Sequence, residues 1–286
     1  MSTEIVPAPQ PGKTTWHVTH RDLPSYDGEQ MPPIRLITHL DLPHTDDRPV
    51  ENSYQPHQMA LLTEALIPHL KETTDGNYQI GQDLGIYWRM DDPPTNGCKA
   101  PDWCYIPGVP PLLNGQLRLS YVMWHEGLRP LVVMEFVSGD GRDERDATPL
   151  TGKFWVYANG IGAPYYVIHD RARGLLEVYH RDGNGYQRPA PDSEGRYPIP
   201  AMGLLIGHWT GNYREIDGLW LRFFKPDGSL LPTDGEQKAT LRARVDAEQE
   251  CTTRERSRAE AEKSRADALQ ALLDKLKAQG MDANAP

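Results

Sequence analysis

The chain has 286 residues, a formal net charge of −10, 26 prolines and 25 glycines. So many turn-forming residues exclude a helical bundle, and without a run of about 18 apolar residues no membrane-spanning helix is expected. The acidic excess, 30 Asp and Glu against 20 Lys and Arg, falls within residues 1–234, which argues against a protein that coats nucleic acid non-specifically yet leaves room for a local site with a basic rim.

Residues 1–45 read as a mostly extended arm, interrupted by breakers such as Pro24–Gly28, with short strands expected at Trp16–Thr19 and Arg35–Thr38. The start of the chain lacks the basic and apolar parts of a signal peptide. Three cysteines, Cys98, Cys104 and Cys251, show no metal-type spacing; reduced thiols are expected, a Cys98–Cys104 bridge being the alternative. A soluble, cytoplasmic protein is the expectation. A domain over 46–234 should follow the arm. It opens with a helix over about 55–71, because Met59, Leu62, Leu66 and Leu70 recur at spacings of three and four after a possible cap at Asn52 or Ser53.

Short strands come next: Tyr78–Gly81, Leu84–Arg89, Trp103–Ile106, Ser120–Trp124 and Leu131–Val137. A second helix is predicted at about 150–159, capped by Thr148, with Pro149 as its first residue and Gly160 and Gly162 stopping it. Tyr165–Ile168 and Leu175–Tyr179 pattern as a hairpin. Gly185–Gln187, an irregular Pro-rich stretch and the strand Leu219–Phe224 close the domain. This order predicts an α/β fold, a mixed sheet with helices against it. From Gly235 the chain becomes charged and Ala-rich, and Leu241, Val245, Leu269, Leu273 and Leu276 fall on one seam, so a long charged helix over 235–280 is expected, able to pair as a coiled coil at its Leu-rich end.

One residue interrupts this pattern. Glu135 lies in the apolar run Leu131–Val137, where a carboxylate costs several kcal/mol unless it is paired, protonated or bound to a cation. Three residues are candidates to accompany it. Asp102 follows Pro101 and stands at the start of a strand; Lys153 lies on the second helix, with Tyr157 on the same face; Glu51 precedes the first helix. Each alone is more commonly a turn, surface or helix-dipole residue. Together, two carboxylates on neighbouring strand ends and one lysine can hold a hard divalent cation and act on a phosphate. No HExxH, paired CxxC, Walker loop or GxSxG is present.

At these residues the sequence resembles the Uma-two family of restriction endonucleases, within the PD-(D/E)XK nuclease superfamily. The matching pieces are Glu51-Asn52, His57 to Leu62, Ala100-Pro-Asp102, Ser120 to Gly127, Glu135 to Ser138, Lys153 to Tyr157, Leu175 to Tyr179 and Leu219 to Gly228, in a span of about 45–275. The resemblance implies a restriction-endonuclease-like mixed central sheet flanked by helices, acting as a Mg²⁺-dependent endonuclease on DNA, with Mn²⁺ as the alternative ion. It implies Asp102, Glu135 and the main-chain carbonyl of Phe136 as metal ligands, Glu51 as a further acidic ligand, and Asp102, Glu135 and Lys153 as the catalytic set. The superfamily lysine two residues after the Glu is Val137 here, and Lys153 is the expected substitute. Ser138-Gly-Asp140 replaces the familiar Ser-Pro-Ser turn, and the insert Arg142–Thr148 is long. A homodimer through the terminal helix is one possible assembly and a solvated single helix the other, with no membrane partner. The rival reading is an inactive nuclease-like scaffold that recruits a partner through that helix, in which case Lys153 should turn to solvent.

Overall fold

The computed structural model describes residues 37–43, 53–183 and 185–278. Most of the expected arm, including the strand at Trp16–Thr19, and Glu51 lie outside the described residues; Ile37 and Thr38 are described but form no strand, and a turn at Thr38–Asp41 places Leu42 against Tyr87 and Val122 instead.

Helix α1 (Tyr54–Thr73) is followed by β1 (Tyr78–Gln82), β2 (Ile86–Tyr87), β3 (Cys98–Lys99), β4 (Trp103–Pro107), β5 (Tyr121–Val122), α2 (Met123–Glu126) and β6 (Val132–Phe136). Then come α3 (Lys153–Trp155), which widens into a π-helical segment (Val156–Ile161), β7 (Tyr165–Asp170), β8 (Leu175–Asp182), β9 (Gly185–Gln187), β10 (Tyr197–Ile199), β11 (Leu204–Tyr213), β12 (Ile216–Phe224) and α4 (Asp234–Ala278). The expected mixed sheet is present. Its six strands run β1-β4-β6-β7-β8-β9, and β6 and β7 are parallel within an otherwise antiparallel order. Every residue of β6 and β7 is buried, which explains why both strands read as apolar runs rather than alternating ones. Two small sheets, β10-β11-β12 and β3-β2-β5, flank it.

Alternation along β6 sends side chains to two cores. Val132, Met134 and Phe136 meet the Met59, Leu62 and Leu66 face of α1 and the apolar side of β10–β12. Val133 faces the other way, onto Val156, Tyr157 and Ile161 of the α3 segment. Glu135 shares that second face by the same alternation.

Several local readings change. Ser120–Trp124 is strand only at Tyr121–Val122 and then turns into α2, and Leu84–Arg89 pairs only at Ile86–Tyr87. The second helix starts at Lys153, with Gly152 rather than Thr148 at its N-terminal boundary, because Thr148 gives both its amide and its hydroxyl to Asp146. Gly152 is needed there: a Cβ would lie 2.2 Å from the Asp146 carbonyl oxygen. The stretch read as irregular holds β10 and the ten-residue β11. The two-residue turn joining β11 to β12 is Arg214-Glu215, with φ of 50° and 65°, a conformation usually signalled by Asn-Gly. Tertiary contacts hold it instead: the Tyr213 hydroxyl and the Arg214 guanidinium both donate to Glu64 of α1, at 2.9 and 2.6 Å. No disulfide joins any of the three cysteines.

Gln58 of α1, fully buried, covers the outer edge of β12. Its Oε1 accepts from Leu221 N–H at 2.8 Å and its Nε2 donates to Leu221 O at 2.9 Å. Gln58→Leu should orphan both backbone groups, at about 1–3 kcal/mol each before any apolar gain. A urea titration should show a lower midpoint with an unchanged slope; an unaltered midpoint would remove Gln58 from the account of how α1 is held.

Two compact units divide the chain, Met1–Leu231 and Pro232–Pro286. In the second, a reciprocal cap starts α4: Thr233 Oγ1 accepts from Glu236 N–H at 3.1 Å, and Glu236 Oε2 accepts from Thr233 N–H at 2.7 Å. Exposed pairs such as Lys238–Asp234 and Arg254–Glu250 run along the helix, and Leu241, Val245, Leu269 and Leu273 are exposed on it. Among the described residues no helix is long and apolar enough to cross a membrane.

Candidate active site

The site grows from strand pairing. Trp103 of β4 pairs with Met134 of β6, so Asp102 stands one step along, opposite Glu135. Asp102 Oδ2 accepts the Phe136 N–H at 2.5 Å. Two carboxylates thus meet where β4 begins and β6 ends. Burial and then the Glu135 charge push the Asp102 carboxyl up to about 8.

Glu135, 2 % exposed, is the charge that the sequence left without a partner, and α3 supplies two. The Lys153 ammonium lies 2.9 Å from Oε2, and the Tyr157 hydroxyl donates to Oε1 at 2.6 Å. Spacing of four residues along the helix puts both on one face, and the wider π turn begins between them, a feature common at functional sites. Burial raises the Glu135 carboxyl above its ordinary range, opposed by Lys153 and Tyr157. For Lys153 burial works in the opposite direction, but the charge and hydrogen bond of Glu135 hold the ammonium above the usual lysine value. Lys153 therefore keeps its proton.

Asp102, Glu135 and Lys153 are brought together, and Lys153 reaches back past Val137 to the end of β6. Glu51 lies outside the described residues, and the residue that α1 sends to the site is Gln55, four positions on. Buried, it donates Nε2–H to the Phe136 carbonyl at 3.0 Å. Glu144, in the long insert, is buried and lies 3.9 Å from the Lys153 ammonium. Gln55 and Glu144 carry no motif that would have singled them out. Tyr157 had one signal, its place four residues after Lys153.

A scan against protein families matches residues 49–211, more than half of the chain, to the Uma2 model, described as "Putative restriction endonuclease". The chain belongs to the Uma2 family. The matched span is narrower than the 45–275 of the motif resemblance and ends within β11, yet it contains Gln55, Asp102, Glu135, Glu144, Lys153 and Tyr157. A search of curated proteins found no match. Restriction-endonuclease-like families such as Uma2 generally use divalent metals and act on DNA. Among the described residues no group of three or more His, Cys, Asp or Glu is arranged to hold a metal; the oxygens gathered here are the Asp102 and Glu135 carboxyl groups and the Phe136 carbonyl, which accepts from Gln55. Mg²⁺ needs few protein oxygens and keeps several waters, and a cation here would offset the charge that Glu135 imposes on Asp102.

Proposed function

We propose that this chain is a divalent-metal-dependent endonuclease that hydrolyses phosphodiester bonds of DNA. The supporting observation is the Lys153 ammonium on Glu135, at 2.9 Å, beside an Asp102 carboxyl whose ionisation Glu135 disfavours. Asp102, Glu135 and the Phe136 carbonyl would hold Mg²⁺ or Mn²⁺. When bound, such an ion lowers the pKa of water and offsets charge on the phosphate.

The other roles belong to the chain. Lys153, protonated and fixed by Glu135, is a positive charge that stabilises the transition state and orients the attacking water for in-line displacement. It is not the base. Tyr157 fixes the Glu135 carboxylate, and Gln55 fixes the carbonyl at the end of β6. The scaffold reading required a Lys153 turned to solvent, whereas its side chain is 30 % exposed and its amine is turned to Glu135.

Purified protein should nick or linearise plasmid DNA in Mg²⁺ or Mn²⁺ and leave it intact in EDTA. Asp102→Asn should abolish the cleavage. No cleavage of duplex or single-stranded DNA with either ion would overturn the proposal.

A further inference from the structure

A second lysine stands at this site, and neither the motif pattern nor the mechanism above uses it. Lys99 ends β3, three residues before Asp102, with Ala100 and Pro101 between them. Its side chain is half-buried, close enough to feel the charges of Lys153, Glu135 and Asp146. Among the described residues it makes no hydrogen bond and no ion pair.

The neighbouring cation is different. Lys153 is committed, 2.9 Å from Glu135 and 3.9 Å from Glu144. Glu135 and Glu144 outweigh it, so these side chains leave net negative charge before an incoming phosphodiester. A divalent ion between Asp102 and Glu135 would offset part of that. What remains to attract the backbone is an ammonium that makes no ion pair among the described residues. Half-burying such a group costs free energy that a surface lysine avoids, and burial together with the Lys153 charge lowers its pKa.

We propose that Lys99 is a phosphate-binding residue, holding a backbone oxygen of the DNA next to the bond that is cut. The proposal rests on the nuclease reading of the same site and adds the contact that brings the strand to it.

Counterion release provides the test. Fluorescence anisotropy of a labelled duplex, with the full chain in Ca²⁺ buffer, gives the slope of log K against log salt concentration. Losing one phosphate contact should reduce the magnitude of that slope by about 0.9 for duplex and about 0.7 for a single strand. Lys99→Gln should show this reduction, Lys99→Arg should retain the wild-type slope, and Lys71→Gln, on the exposed end of α1, should leave it unchanged. Among the described residues the Lys99 side chain makes no hydrogen bond, so Lys99→Gln should melt with the wild type. An unchanged slope in Lys99→Gln, while the wild type cleaves DNA, overturns the proposal and leaves the nuclease reading standing. A Lys99-dependent slope in a protein that binds but never cleaves supports the phosphate contact and overturns the chemistry. Absence of any DNA binding by the wild type overturns both.

Discussion

Glu135→Gln should abolish DNA cleavage, lowering kcat by on the order of 10³-fold or more. The substitution is nearly isosteric, so the Tyr157 hydroxyl keeps an acceptor in the side-chain amide. What disappears is the negative charge. One of two carboxylates offered to a cation is neutralised, and the Lys153 ammonium then faces an amide in place of Oε2, at a site where they now lie 2.9 Å apart. Breaking one half of a fully buried pair costs about 3–5 kcal/mol. Here the lysine is partly exposed and Glu144 lies 3.9 Å away to share its charge, so the loss should be about 1–3 kcal/mol. Thermal unfolding by circular dichroism should register it as a fall of a few degrees, with the fold intact. Glu135→Ala, by contrast, also removes the Tyr157 acceptor and opens a cavity, and its inactivity would mix chemistry with unfolding. A folded Glu135→Gln protein that cleaves at the wild-type rate would show that this carboxylate is not part of the chemistry.

Lys153→Met is the second large effect. Rate should fall by about 10²- to 10⁴-fold, while the affinity for DNA changes little, because an interaction used mainly in the transition state lowers kcat more than it raises KM. Lys153→Arg should not rescue fully, since a planar guanidinium cannot place one compact charge on Glu135 Oε2. The same change supplies a readout independent of turnover. Without the ammonium, Glu135 keeps only the Tyr157 hydroxyl as a partner and the carboxylate pair repels more strongly. The variant should therefore unfold at a lower temperature than the wild type, and Mg²⁺ or Mn²⁺ should restore the difference. A ligand at about 100 times its dissociation constant stabilises by roughly 2.7 kcal/mol. If the ions leave the melting temperature of both proteins unmoved, the two carboxylates do not form a cation site.

How much of this was legible depended on where each signal resides. The run Val132–Phe136 with one carboxylate in it identified both the central strand and the residue that needed partners. The i, i+4 pair Lys153 and Tyr157 shared a face in any helix, whether its cap was Thr148 or Gly152. In contrast, β11 escaped because Gly207, Gly211 and polar residues break its alternation, and because its hairpin turn at Arg214-Glu215 is held by Glu64, a residue 150 positions away. Gln55 was equally hidden: a glutamine at the start of a helix has no special meaning until the Phe136 carbonyl, 81 residues on, comes within 3.0 Å of it.

Local chemistry sufficed for the elements whose stability is local, such as α1 with its apolar stripe, the buried strands, and α4, whose Thr233-Asp-Gly-Glu236 cap and charged faces need no partner in the sequence. It also sufficed to say that Glu135 could not stand alone. Which groups would answer that charge was decided by register. Only when β4 pairs with β6 does Asp102 come opposite Glu135, and only when the α3 segment packs across the same face do Lys153 and Tyr157 reach its two oxygens. The reason is the length scale. Propensity and capping act over a few residues, whereas a buried carboxylate is compensated by whatever lies within about 4 Å of it, and in this fold those groups come from positions 18 and 22 residues away in the chain.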